Sequence, residues 1–387
     1  MKIRRCVLIL LWILSLLSIS FYGGAISYGF FFGVTLVPVI SLLYLGMVYW
    51  RFKLYQELES RNMVCGQPVP YFFVLQNDDY FAFSGVSVKL FSSFSYVEEL
   101  PDDIEYELLP SDHFTYRTKL VCKYRGEYEV GVKEIVVTDF FRLFRIHYAV
   151  PGTIRALVMP KVVRVSELGS IGDIAAFVQR ESFLADTEPD AVVRDYTEGD
   201  ALKQIHWKAT AREQKLKVRN RIGEEKKGIT LFCDTERYSE DNRIYLPLEN
   251  KILETLLALG IFFAEREMAF SVCYGQNGIV CSQVEGMKDF DHFYHGVSGI
   301  AFGEERADEI LYQLMWQSEL RNSKVILCVL HEISDRMMEL TGQLAESGVI
   351  VVVYAVTDRN MDHYIKQSSQ RRRIIVIPPN AELEGRL

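Results

Sequence analysis

"GITLFCDTERY", Gly228 to Tyr238, decides how the second half of the chain folds. Ile229 to Cys233 are apolar without a break, and Asp234 comes directly after them. A short unbroken apolar run fits a strand buried on both faces, as in a parallel sheet, rather than a half-exposed strand that would alternate. The sequence downstream supplies the rest of such a sheet. "LPLENKILETLLALGIFFAERE", Leu246 to Glu267, spaces its apolar residues helically, and "MAFSVCYG" and "GIVCSQVEG" return to strand. "EERADEILYQLMWQSELRN" is a second helix, with acids early and Arg321 late, as the helix dipole favours. "KVILCVLHE", "VIVVVYAVT" and "RRIIVIPP" are strands, and "SDRMMELTGQLAESG" is a helix with Ser334 as N-cap and Gly348 as stop. Strands alternating with helices predict an α/β domain over 228–387, built on a mostly parallel sheet covered on both faces.

Ligands of such sheets bind beyond the carboxyl ends of the strands, where Asp234 falls. "DTERY" there is similar to the start of the von Willebrand factor A metal motif, D-x-S-x-S after the first strand. Asp234 matches, but Glu236 and Tyr238 stand at the two serine positions. "KVILCVLHEISD" also lacks the Thr-Asp-Gly turn usual in that fold. The resemblance implies a von Willebrand A-like, Rossmann-like domain without its ion site, and no cofactor is expected. Glu236 could still lend an oxygen to a hard cation beside Asp234, which keeps a metal-dependent binding or hydrolytic domain as the alternative.

The N-terminus carries a different signal. From Cys6 to Trp50 there is no Asp, Glu, Lys, Arg or His, enough for two membrane helices of ~20 residues. "FYGGAISYG", Phe21 to Gly29, offers the turn, and Pro38 is tolerable in a membrane helix. Lys2, Arg4 and Arg5 precede the stretch, Arg51 and Lys53 lie after it, and the loop between is uncharged. The positive-inside rule then puts both ends, and the whole chain beyond Arg51, in the cytoplasm, in a multi-pass protein of the plasma membrane. Tyr44, Tyr49 and Trp50 fit an interfacial aromatic belt. A cleaved signal peptide would need a small-residue cleavage site, and here a second apolar span comes directly after the first.

Composition agrees with a globular remainder: 49% hydrophobic, 24% charged, net charge -8. A net negative chain is a poor general binder of nucleic acid, so no nucleic-acid partner is expected. The seven cysteines, Cys6, Cys65, Cys122, Cys233, Cys273, Cys281 and Cys328, form no CxxC pair, and most lie in strand-like runs. That pattern predicts reduced thiols in a reducing compartment and no structural zinc.

Between the spans and the α/β region the chain reads as β. "VPYFFVLQN", "VSVKLFSS" and "FTYRTKLVCKYRGEYEVGVKEIVVTD" are rich in β-branched and aromatic residues, with partial period-two alternation. Short strands at this spacing predict a β-sandwich over 55–161. The acidic stretch Glu98 to Glu107 reads as a solvated loop.

The segment 162–227, between the β and α/β regions, holds "RDYTEGDALKQIHWKATAREQKLKVRN", Arg194 to Asn220. "DALKQIHWKATARE" can be a helix capped by Asp200, with Leu202, Ile205 and Ala209 on one face. "KLKVRN" alternates as an edge strand, with Leu216 and Val218 inward. Trp207 is large and expected to be buried. The pattern R-D-Y-x-x-G-D-x-x-x-x-I-H-W-K-A-x-A-R resembles the signature of the domain-of-unknown-function 58 family. The matching residues are Arg194, Tyr196, Gly199, Asp200, Ile205, His206, Trp207, Lys208, Ala211 and Arg212. Upstream, "YRGEYEVGVKEIVVTDFFRLFR" is similar to that family's strand pair ending in D-P-F-G-L-F. Phe140 replaces the Pro there, and Arg142 stands where Gly is usual. "VMPKVV" resembles its V-Y-P strand.

The resemblance spans nearly the whole chain and implies a transmembrane hairpin over 1–54, a β domain and a degenerate von Willebrand A-like domain. It also implies a membrane-associated adaptor with no established reaction, and as partners a MoxR-type AAA+ ATPase and a transglutaminase-like membrane protein. Sharper chemistries are weaker. Pro189-Asp190 with Glu213-Lys215 mimics a metal nuclease on a short, chance-prone pattern. His206 has no serine or cysteine nucleophile placed beside it. His292 and His295, near Asp289 and Asp291, read as a solvated helix face. Arg194 to Lys227 holds ten Lys or Arg against six Asp or Glu, and Arg371 to Arg373 add to the basic clusters. What remains functional is a basic, partner-facing surface of Lys208, Arg212, Lys215, Lys217 and Arg219, and no catalytic residue is expected.

Overall fold

The structure is a computed structural model of the chain. It describes residues 2–100, 104–150, 152–165, 193–195, 207–219, 228–316, 320 and 323–383. The chain falls into two compact units, Met1–Met159 and Pro160–Leu387.

The first unit begins with α1 (Lys2–Tyr22) and α2 (Ala25–Arg51), each long and apolar enough to cross a membrane. Gly23 and Gly24 make the reversal between them at φ 51° and 94°, a region glycine enters without a Cβ clash. Trp12 and Ser18 reach across to Thr35 and Ser27. Most of the outward surface of both helices is bare Leu, Ile, Val and Phe. The last turns of α2 differ: Leu45, Val48 and the adjoining Phe52 are buried in the β core. The segment expected to end at residue 54 is therefore packed into the β region beyond it.

That core is enclosed by β1 (Lys53–Leu58), β2 (Asn62–Val64), β3 (Pro68–Gln76), β4 (Phe83–Leu90), β5 (Ser95–Val97), β6 (Glu105–Leu108), β7 (His113–Cys122), β8 (Gly126–Val130), β9 (Val132–Thr138), β10 (Arg145–Ala149) and β11 (Ile154–Met159). They form three sheets, ordered β1-β3-β7-β5, β10-β9-β4-β6 and β2-β11-β8. Pairing is antiparallel apart from β2 with β11. β3 shows why: Tyr71, Phe73 and Leu75 alternate inward and lie on one face. The acidic stretch is only partly a loop. From Glu105 it is strand, because Tyr106 and Leu108 alternate into the core between its acids.

The turn after β9 contains one departure from the pattern noted above. Asp139, buried, accepts from the backbone N–H of Phe141 and Phe144 at 3.1 and 2.7 Å. Arg142, where glycine is usual, takes φ 54° and pairs with Glu105 at 2.7 Å. Arginine occupies a left-handed position that glycine would hold without strain.

The second unit contains the short pair β12 (Val193–Asp195) and β13 (Lys217–Arg219), with α3 (Trp207–Glu213) before β13. Its main sheet is built from β14 (Ile229–Cys233), β15 (Phe270–Gly275), β16 (Ile279–Val284), β17 (Val325–Leu330), β18 (Ile350–Val356) and β19 (Arg372–Ile377). The order is β16-β15-β14-β17-β18-β19, all parallel except the edge strand β16. The helices are α4 (Asn242–Glu265), α5 (Met287–Ser298), α6 (Ala307–Trp316), α7 (Asp335–Glu346) and α8 (Asp362–Ile365). Along β17, Val325, Leu327 and Val329 face one cluster with α4 and α5, while Ile326, Cys328 and Leu330 face another with α6 and α7. Both faces are therefore covered, as the unbroken apolar strands required. Val162, Val163 and Val165, expected in a linker, pack on the α4 side.

The cysteines correct an expectation. Cys273 and Cys281 are directly opposed in the β15–β16 register, Cα atoms 4.3 Å apart, and are joined as a disulfide. They lie eight positions apart in sequence, and only the hairpin register makes them neighbours. Cys6, Cys65, Cys122, Cys233 and Cys328 are in no disulfide among the described residues. The cysteine pattern thus no longer supports a reducing compartment.

Candidate functional site

The strand order places a switch point between β14 and β17. From β14 the chain steps to β15 over α4 on one face, whereas from β17 it steps to β18 over α7 on the other. Crevices of doubly wound sheets open where successive connections diverge in this way. The residue leaving β14 is Asp234, and the residue leaving β17 is His331.

These two meet. Asp234 is anchored by its own N–H to the Val329 carbonyl at 2.9 Å. One carboxylate oxygen accepts from Glu236 N–H at 2.9 Å, the local turn that aspartate favours after a strand. The other accepts from His331 N–H at 3.1 Å and from the His331 ring Nδ1. The Asp234 side chain is fully buried and that of His331 nearly so. Burial alone would lower the His331 pKa, but the bonded Asp234 carboxylate outweighs it, with Glu236 and Glu332 adding, so the imidazole titrates above its ordinary value. Glu236 is pushed up, first by burial and then by the Asp234 charge.

Surface residues close over the pair. The Tyr238 ring lies 4.9 Å from the His331 ring. Arg359 sits over Tyr238, donates to its hydroxyl and binds Glu332 at 2.7 Å. Thr235 donates to the Gly275 carbonyl at 2.7 Å, and Arg237 binds the buried Glu249 at 3.0 Å. The arrangement can hold a proton between a carboxylate and an imidazole. Among the described residues no group of three His, Cys, Asp or Glu is placed to hold a metal. Sequence reasoning finds Asp234, Glu236 and Tyr238 but misses His331 and Arg359. "CVLHE" is plain in the sequence, yet strand adjacency rather than spacing brings His331 to Asp234.

The signature residues lie elsewhere in this unit. Arg194 pairs through its backbone with Val218. Tyr196, Gly199, Asp200, Ile205 and His206 lie outside the described residues, as do Pro189 and Asp190 and the proposed Asp200 cap. Trp207 is 68% exposed, contrary to the burial expected from its size. It is the first residue of a two-turn helix, whose length gives only a narrow covered side, shared by Ala209 and Thr210. Leu216, expected inward, is 45% exposed, because the strand begins only at Lys217. Lys208, Ala211, Arg212 and Lys215 are exposed, Lys217 is half-buried, and Arg219 lies in β13. His292 and His295 are exposed on α5, where Asp289 instead accepts from Glu285 N–H. In the basic tail, Arg372 is structural, donating to the carbonyls of Met338 and Gln367.

Residues 192–253 match the family model described as "Protein of unknown function DUF58". That stretch runs from the signature segment through β14 and Asp234 into α4. No curated protein sequence matches the chain. Among solved structures, two of a GH20 exo-β-N-acetylglucosaminidase from Vibrio harveyi are similar at 9% identity, over 85% of this chain and 82% of theirs. One holds N-acetylglucosamine and the other is an inactive mutant, with TM-scores of 0.20 and 0.16. Likeness at that level carries no argument about fold or activity.

Proposed function

We propose that this chain is a membrane-anchored cytoplasmic adaptor without a reaction of its own. In this reading the two N-terminal helices span the plasma membrane, the β region is a sandwich, and the α/β region is von Willebrand A-like with its ion site lost. The family resemblance makes a MoxR-type AAA+ ATPase the expected partner, with a transglutaminase-like membrane protein as a further one. The partner-facing surface is the basic face of Lys208, Arg212, Lys215, Lys217 and Arg219, together with the exposed Trp207.

One observation supports the loss of the ion site. The carboxylate that would face an ion in a von Willebrand A site is here taken up by two backbone N–H groups and an imidazole of its own chain. A cation would have to displace His331, which Tyr238 and Arg359 cover.

Calorimetric titration of the detergent-solubilised full chain with Mg²⁺, Mn²⁺ and Ca²⁺ tests this. The expected result is no binding that depends on Asp234. Binding abolished by Asp234→Ala would overturn the reading and restore the metal-dependent one. A reporter fused after the last residue checks the topology: activity on the extracytoplasmic side refutes the cytoplasmic placement.

A further inference from the structure

The end of α2 fixes a level in the molecule. Its 27 residues extend ~40 Å at 1.5 Å per residue, against about 30 Å of bilayer hydrocarbon. The surplus is about two turns, and the last two turns are those that pack one side, Leu45 and Val48, into the β core. The membrane-spanning part of α2 therefore ends near Tyr44. On α1 the apolar stretch ends at the corresponding level, at Arg5.

Two loops of the β region are fastened at that level. The loop between β3 and β4 holds Tyr44, whose hydroxyl donates to the Ala82 carbonyl at 3.2 Å and accepts from Ser84 N–H at 2.8 Å. The turn between β9 and β10 holds α1: Arg4 and Arg5 donate to the carbonyls of Phe141 and Leu143 at 3.3 and 2.6 Å. The same turn places Phe140 4.6 Å from the Tyr44 ring. A third loop, after β6, joins them. Ser111 N–H bonds the Asp79 carbonyl, and buried Asn77 donates to the carbonyls of Phe81, Leu108 and Leu109.

The tips of these loops are apolar and uncovered: Tyr80, Phe81, Leu109, Phe140 and Phe141 are between 51% (Phe141) and 89% (Tyr80) exposed. Of the acids at their base, Asp78 pairs with Lys53 and Asp79 with Arg51, while the Asp112 carboxylate of the third loop accepts, among the described residues, only from the His113 N–H. A large exposed apolar patch marks an interaction surface. Its position at the level where α1 leaves its apolar stretch and α2 enters the β core selects the occupant.

We propose that these three loop tips insert into the bilayer interface of the leaflet from which the hairpin emerges. The β region is then seated on the membrane by an aromatic collar rather than tethered above it. Rings at the boundary between headgroups and acyl chains bury apolar surface there at a depth of about 5–10 Å. The inference rests on the hairpin spanning the membrane.

Spin labels read depth in the full chain, reconstituted in nanodiscs of phosphatidylcholine and phosphatidylglycerol at three to one. Single cysteines replace Phe81, Phe140, Leu14 and Tyr55 in a Cys6→Ser background, since Cys6 is the exposed free cysteine. Accessibility to oxygen over a nickel chelate should be several-fold higher at 81 and 140 than at 55, an exposed site on β1, and highest at 14, mid-span in α1. Water-like values at 81 and 140 with a deep value at 14 would overturn the collar alone and leave those tips as a protein-facing surface. A water-like value at 14 would overturn the hairpin reading and the collar with it.

Discussion

Asp234→Ala is the perturbation whose consequence the geometry fixes best. The substitution removes the acceptor of three hydrogen bonds. It leaves His331 N–H in the interior, and an unsatisfied buried backbone N–H costs about 1–3 kcal/mol. It also strips His331 of its counter-charge, and breaking a buried pair from one side costs about 3–5 kcal/mol. The imidazole can shed its proton, because burial then acts on it without the opposing carboxylate, so the low end applies. The expected loss is about 3 kcal/mol, or a roughly 100-fold rise in opening of this unit. Cys328 reports it, being fully buried in β17. Its alkylation in sub-denaturing urea, read by peptide mass spectrometry, tracks the opening free energy when reclosing outpaces labelling. Cys122, buried in the unit Met1–Met159, serves as internal control and should keep its wild-type rate. Asp234→Asn retains one carbonyl oxygen and should lose about 1–2 kcal/mol, on the scale of a hydrogen bond. A Cys328 rate in Asp234→Ala within threefold of wild type would refute the reasoning.

The same geometry sets other outcomes. His331 and Glu236 both titrate higher in the folded chain than in the unfolded one, so the folded state holds more protons. The His331 contribution is fully present below pH 6.5 and lost as pH rises through its raised folded value, while the Glu236 effect has the same sign in a window opening at pH 4.5. Cys328 protection, normalised to the unfolded chain, should therefore fall with rising pH, and His331→Gln should flatten the slope above pH 6.5. Arg142→Gly relieves a left-handed residue, about 1 kcal/mol, at the loss of an exposed ion pair contributing less, and should leave Cys122 protection equal or higher; a fall of tenfold or more counters the turn assignment. Protein purified without reductant, denatured and alkylated should gain five alkyl groups rather than seven, and seven would refute the Cys273–Cys281 bond.

Much of the fold was legible because one property decided each part. Unbroken apolarity gave the two long helices, period-two burial gave strands such as β3, and apolar strands between amphipathic helices gave the parallel sheet. Ser334 caps α7 by accepting from Met337 N–H, and Gly348 takes φ 94° at its end, both as local chemistry requires. What escaped depends on partners distant in sequence. His331 meets Asp234 only because β17 lies beside β14, and Cys273 meets Cys281 only through hairpin register. Trp207 ran against a size-based expectation, since a two-turn helix has little inner face on which to bury an indole.

The adaptor reading is tested most directly by in-cell photo-crosslinking from the basic face. A photo-reactive residue at Lys208 or Arg212 of the full chain, in the cells that make it, should yield an adduct with an AAA+ ATPase, lost when Lys215→Glu and Lys217→Glu are combined. Repeated recovery of lipid and chaperones alone from both positions would contradict it.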